Sequence, residues 1–165
     1  MSGSLAPTPP LARDLASAFA RIEAALCVAR AHPLSSRKVL LVAVLLDNFC
    51  DQAFEALRGA APAQVPFAED VLAFREQLRV DEPALGLIFD LCALAPGGPR
   101  LVTRAIAVPI EDYCGLSIED FMVSLYNANT VQRVVIASDG TAGRLAHAVL
   151  DEAMAYLNEA AWLQR

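Results

Sequence analysis

Two acidic pairs, Glu111-Asp112 in IEDY and Glu119-Asp120 in IEDF, are the side chains of this 165-residue sequence whose type and spacing come closest to chemistry. Four converging carboxylates suit a hard divalent cation, which takes several oxygen ligands. Calcium loops alternate acidic ligands with a glycine at a fixed place, and this segment does not. Magnesium needs only one or two carboxylates and a phosphate-bearing ligand. A ligand or metal site built from Glu111, Asp112, Glu119 and Asp120, with Tyr113, Cys114 or Tyr126 beside it, is therefore an open expectation. The second pair also has a purely mechanical role. Ser117 is placed to cap a helix, Asp120 stands three residues on to complete a capping box, and Leu116 can staple onto Phe121. Glu119 and Asp120 also favour the positive end of that helix. Glu111 and Asp112, between Pro109 and Gly115, are expected in an exposed loop.

Other constellations are thinner. Arg144, His147 and Asp151 fall at helical spacing, so an Asp-oriented imidazole is conceivable as a general base. No nucleophile stands beside it, and such lines are usually solvated faces. Asp47, Asp51 and Glu55 make a similar acidic line, with Arg58 next to it, expected where a buried helix emerges into solvent. Cys27, Cys50, Cys92 and Cys114 form no CxxC pair, and His32 and His147 are the only histidines. That is not zinc-ligand spacing. All but Cys114 lie in apolar helical stretches, where cysteine acts as a small core residue. Gly140-Thr141-Ala142-Gly143 is a turn into a helix rather than a phosphate cradle, since neither GxxxxGK[ST] nor GxGxxG occurs. No cofactor is implied.

These groups must be carried by a mostly helical scaffold. Hydrophobic content is 56%, above the usual range of about 45–50%, and much of the excess is alanine, a strong helix former. The formal charge of −6 argues against nucleic acid or an anionic membrane as partner, because both need a basic face; Arg100, Arg104 and Arg133 are the sole local exception. MSGSLAPTPP has neither a basic start nor an apolar core, so no secretory signal is read, and a cytoplasmic location follows by default.

Residues 1–10 are expected to be a disordered tail and 11–165 one globular domain, with a helical part over 11–95 and a β-α-β-α part over 100–163. Leu15, Phe19, Ile22, Leu26 and Ala29 mark a first helix. His32-Pro33 breaks it, and a second runs over about 36–58 as its antiparallel partner. The run Val39 to Leu46 is apolar on every side, too short for a membrane span of about 20 residues, and so is expected to be buried all round at the centre of the core. Further helices are expected over 67–78, with Val71, Phe74 and Leu78 inward, and over 83–94, before the break at Pro96-Gly97-Gly98-Pro99. Residues 101–108 and 131–137 are β-branched runs expected as strands, the first with a frayed helix over 102–108 as its alternative because Ala105 and Ala107 are poor strand formers; a helix over 118–126 lies between them and a long helix over 141–163 after them. The fold class is thus α+β, predominantly α, with a small two-stranded element that leans on the helices or pairs across a dimer.

With so thin a catalytic inventory, the residues point to a non-catalytic protein acting through protein-protein contact in a regulatory or assembly role, as a homodimer. Tyr156, Trp162 and Leu163 near the C-terminus are expected to dock, either on the protein's own core or on a second copy as its interface, because aromatic anchors are typical of interface centres. The alternative is a small enzyme or ligand-binding domain with a carboxylate site near Glu111-Asp112.

Overall fold

The computed structural model of the chain describes residues 10–60, 70–109, 112, 116–140 and 142–160. Helix α1, Pro10–Arg30, and helix α2, Ser36–Ala60, are joined by a tight turn in which the Ser35 hydroxyl accepts the Lys38 N–H. Phe19, before the turn, packs against Phe49, after it, with ring centroids 5.6 Å apart and the rings tilted by 60°, which makes the pair an antiparallel hairpin. Ile22, Leu26 and Ala29 of α1 are buried at the expected helical spacing.

The apolar run of α2 is not buried all round. Val39, Val42, Ala43 and Leu46 are fully buried, whereas Leu40, Leu41 and Val44 are exposed, Leu41 to 54%. Eight residues at 100° each circle the whole helix, but its neighbours pack on one side only. Nor does α2 emerge at its end, where Phe49, Cys50, Ala53 and Phe54 are buried. The acidic line there is a clamp. Asp51 binds Arg75 at 2.7 and 2.9 Å, and Asp47 approaches the same guanidinium to 3.0 Å.

Arg75 belongs to α3, Val71–Asp81, and its guanidinium carbon lies 4.9 Å from the centre of the Phe89 ring in α4, Pro83–Ala93. One arginine so ties three helices together. Phe74 and Leu78 point into the core as their spacing requires, with Val71 partly buried against it. Glu82 turns the chain between α3 and α4, its carboxylate accepting the Ala84 N–H at 2.9 Å, and Pro83 takes the first helical position, where no N–H is needed.

Beyond the Pro96–Pro99 break, β1, Arg100–Ala107, pairs antiparallel with β2, Thr130–Ala137, in a register from Arg100↔Ala137 to Ala107↔Thr130. Helix α5, Ile118–Tyr126, is the excursion between them. A third strand, β3, Arg144–Leu145, completes the sheet in the order β1-β2-β3, where the residues suggest two strands. Gly143 makes it possible: its φ is +80°, and a Cβ there would lie 2.9 Å from the Ile136 carbonyl oxygen. Helix α6, Ala146–Glu159, begins only after that strand, five residues later than expected. Its Val149, Leu150, Ala153, Met154 and Leu157 join Val134 and Ile136 of β2 in the hydrophobic cluster that α1 to α4 share. The architecture is predominantly helical α+β. Among the described residues no helix is long and apolar enough to cross a membrane.

Candidate functional site

Helix α5 is set on the sheet inside out. Its start is local chemistry: the Ser117 hydroxyl accepts the Asp120 N–H at 3.1 Å, as the cap motif requires. In place of the second half of a capping box, the Asp120 carboxylate pairs with Arg133 of β2, taking Nη2 at 2.8 Å and Nη1 at 3.2 Å. These hydrogen bonds hold the Asp120 carboxyl below the usual carboxylate range. Ser124, one turn on, is fully buried, and its hydroxyl donates to the Phe121 carbonyl at 2.8 Å. The polar side of the helix, Asp120 and Ser124, thus faces the body. The apolar side faces solvent, with Ile118 exposed to 83%, Met122 to 47%, Leu125 to 53% and Tyr126 to 83%. An ordinary surface helix is arranged the other way round.

Beside the start of α5 lies a cleft of about 570 Å3 whose polar lining includes Arg30, Ser117, Glu119, Asp120, Arg133 and His147. Most of these charges are held within the fold. Arg30 is bound by Asp151 at 2.7 Å and Arg133 by Asp120. The His147 ring sits 3.1 Å from the Ala29 carbonyl, and because a carbonyl only accepts, Nε2 carries the proton. The imagined His147-Asp151 pair is therefore split between two partners on α1, and Arg144 turns to Glu152 at 2.7 and 2.6 Å.

Of the acidic candidates, Glu119 is exposed at the cleft and Asp120 is engaged by Arg133. Asp112 is exposed, its N–H donating to the Pro109 carbonyl at 3.0 Å. Glu111, Tyr113, Cys114, Trp162 and Leu163 lie outside the described residues. Among the described residues no three His, Cys, Asp or Glu side chains come together as a cation site. Tyr156 is half-buried against the core, with its hydroxyl 3.3 Å from Asp81. Cys50 is buried, which pushes its thiol up to about 12, and Cys92, half-buried, is pushed up to about 11 for the same reason. Cys27 is exposed rather than part of the core. The arginine cluster is dispersed into internal contacts: Arg100 with Asp139, Arg104 with the Ala142 carbonyl, Arg133 with Asp120.

The outward face of α5 is what the residue types did not announce. Its signal was present in IEDFMVSLY: Asp120 and Ser124 share one face, and Ile118, Met122 and Leu125 share the opposite one. No protein-family model matches this chain, and neither a curated protein nor a solved structure is found to resemble it.

Proposed function

We propose that this protein is a non-catalytic binding protein, cytoplasmic in location, that acts through protein-protein contact, and that α5 is its docking element. The observation that supports this is the inverted placement of α5. Ile118, Met122, Leu125 and Tyr126 leave on the order of 500 Å2 in water, the size of the largest patch on a typical monomer and often functional. Burying that face against a partner would gain about 25 cal/mol per Å2. In the observed arrangement Asp120 faces the sheet through its pair with Arg133, and Ser124 is buried. A helix held with its apolar face outward is the form in which helix-in-groove and helix-on-helix recognition work.

A photo-crosslinking amino acid at Leu125, introduced in the cell, tests this docking role. A covalent protein adduct at Leu125 that is absent when the same group replaces Gln52, an exposed residue of α2, is the expected result. No adduct at Leu125 would remove it.

A second role rests on the cleft. Its volume and its Arg30, Glu119 and His147 lining are compatible with a small ligand, the enzyme or ligand-binding alternative. Retention of a small molecule through native mass spectrometry, lost on Glu119→Ala, would favour that role over docking.

A further inference from the structure

We infer that the occupant of the α5 face is α5 of a second copy of this chain, packed antiparallel about a two-fold axis at Met122, a contact that presupposes the docking role of α5. The exposed side chains are self-complementary in that arrangement. Ile118, Met122, Leu125 and Tyr126 follow one another at spacings of four, three and one, the seam by which one helix packs on another. Reversing the second helix puts Met122 against Met122 and Ile118 against Leu125 and Tyr126, so each contact occurs twice, as an isologous interface requires. No charge has to be buried to make it. Asp120 points away into its pair with Arg133, and Glu119 stands at the flank, beside the cleft.

Charge selects the second copy over a charged partner. The chain carries −6, so two copies repel over most of their surfaces. Among the described residues from Arg100 to Leu145, however, four arginines (Arg100, Arg104, Arg133 and Arg144) stand against four carboxylates (Asp112, Glu119, Asp120 and Asp139), which leaves these elements near neutrality. Two copies can approach here without that repulsion, and the apolar seam offers a basic or acidic partner nothing to pair with.

Area sets the strength. With on the order of 500 Å2 exposed on each copy, the pair buries at most about 1,000 Å2, the lower bound for a specific interface. The dimer is therefore a reversible one that dissociates on dilution. Leu40, Leu41 and Val44 of α2 form another exposed apolar stripe among the described residues, and a contact there would not involve Met122.

Sedimentation velocity from about 1 to 200 µM on the wild type, Met122→Glu and Leu41→Glu tests the contact. The expected result is a concentration-dependent monomer-dimer equilibrium in the wild type and in Leu41→Glu, with association weakened tenfold or more in Met122→Glu. Circular dichroism of all three should coincide. In a Cys27→Ser/Cys114→Ser background, Met122→Cys should form an intermolecular disulfide between copies, whereas Ile118→Cys alone should not. A dimer lost in Leu41→Glu and kept in Met122→Glu would overturn the proposal. So would a wild type that stays monomeric throughout. In that case the Leu125 crosslink separates the remaining outcomes: an adduct to a different protein sinks only the second copy, whereas an adduct within the same chain, or no adduct, sinks the docking role as well.

Discussion

The ion pair that holds α5 can be removed in two ways, and the two together isolate its strength. Replacing Arg133 by methionine leaves Asp120 without its partner, replacing Asp120 by asparagine leaves Arg133 without its own, and the double variant closes a cycle in which other effects of each change cancel. Hydrogen bonds to charged groups contribute about 1.5–3 kcal/mol, and exposed ion pairs only about 0.2–1 kcal/mol. Asp120 and Arg133 have side chains 24% and 20% exposed, so the coupling should fall between, at about 1–2 kcal/mol. It should act locally. With its apolar face in water, α5 is held mainly through Asp120 and Ser124, so its amides should exchange with solvent about 5 to 30 times faster in Arg133→Met, while the amides of α2 change little.

The pH dependence has a fixed sign. Hydrogen bonding to Arg133 lowers the Asp120 carboxyl in the folded state, so the stabilisation is fully present above the unfolded value of about 3.9. It is lost as pH falls through the folded value. Urea unfolding and hydrogen exchange of the four proteins at neutral pH and at progressively lower pH provide the assay. A coupling below about 0.3 kcal/mol at neutral pH, α5 amides unchanged in Arg133→Met, or a coupling that grows on acidification would refute the anchoring role.

Other consequences follow from the same geometry. Ser117→Ala removes the cap of α5 and should cost about 0.5–2 kcal/mol, read as a lower urea midpoint. Gly143→Ala must carry a side chain at φ +80° against the Ile136 carbonyl, and should lose at least about 1–2 kcal/mol, whereas Gly59→Ala, in open space in α2, should gain about 0.5–1 kcal/mol. Iodoacetamide at mildly alkaline pH, followed by peptide mass mapping, should label exposed Cys27 in the native protein. Cys50, with its thiol raised to about 12, should react only after unfolding.

How far the fold could be read depended on how local its causes are. Helix α5 was legible to the residue because its cap, Ser117, and its stop, Asn127, are neighbours in sequence. Strand β2 was legible because its β-branched run ends at Asp139-Gly140. The third strand was hidden: Thr141–Leu145 suits a helix start as well, and what decides is a positive φ at Gly143 combined with pairing to Ile136, eight positions earlier. The burial of α2 was misjudged because an apolar run shows what burial would gain, not how many neighbours there are to provide it. Periodicity shows which residues of α5 share a face, but not which face the body takes. Arg133, thirteen residues beyond Asp120, meets its carboxylate from β2, a contact that the local sequence of α5 does not show. The acidic echo shows the same: of its four carboxylates, Asp120 is engaged by Arg133 through a contact its neighbours in sequence do not announce.

Two methionines allow the central claim, that α5 turns its apolar face to water in the single chain, to be measured directly. Met122 is 47% exposed and Met154 in α6 only 8%, and oxidation of a methionine follows its access to solvent. In the Leu125→Glu variant, whose α5 faces should no longer pair, dilute peroxide and peptide mass spectrometry should show Met122 oxidised many times faster than Met154. Equal, slow oxidation of the two would mean that α5 buries its apolar face against its own body, and the inverted helix with everything proposed for it would fall.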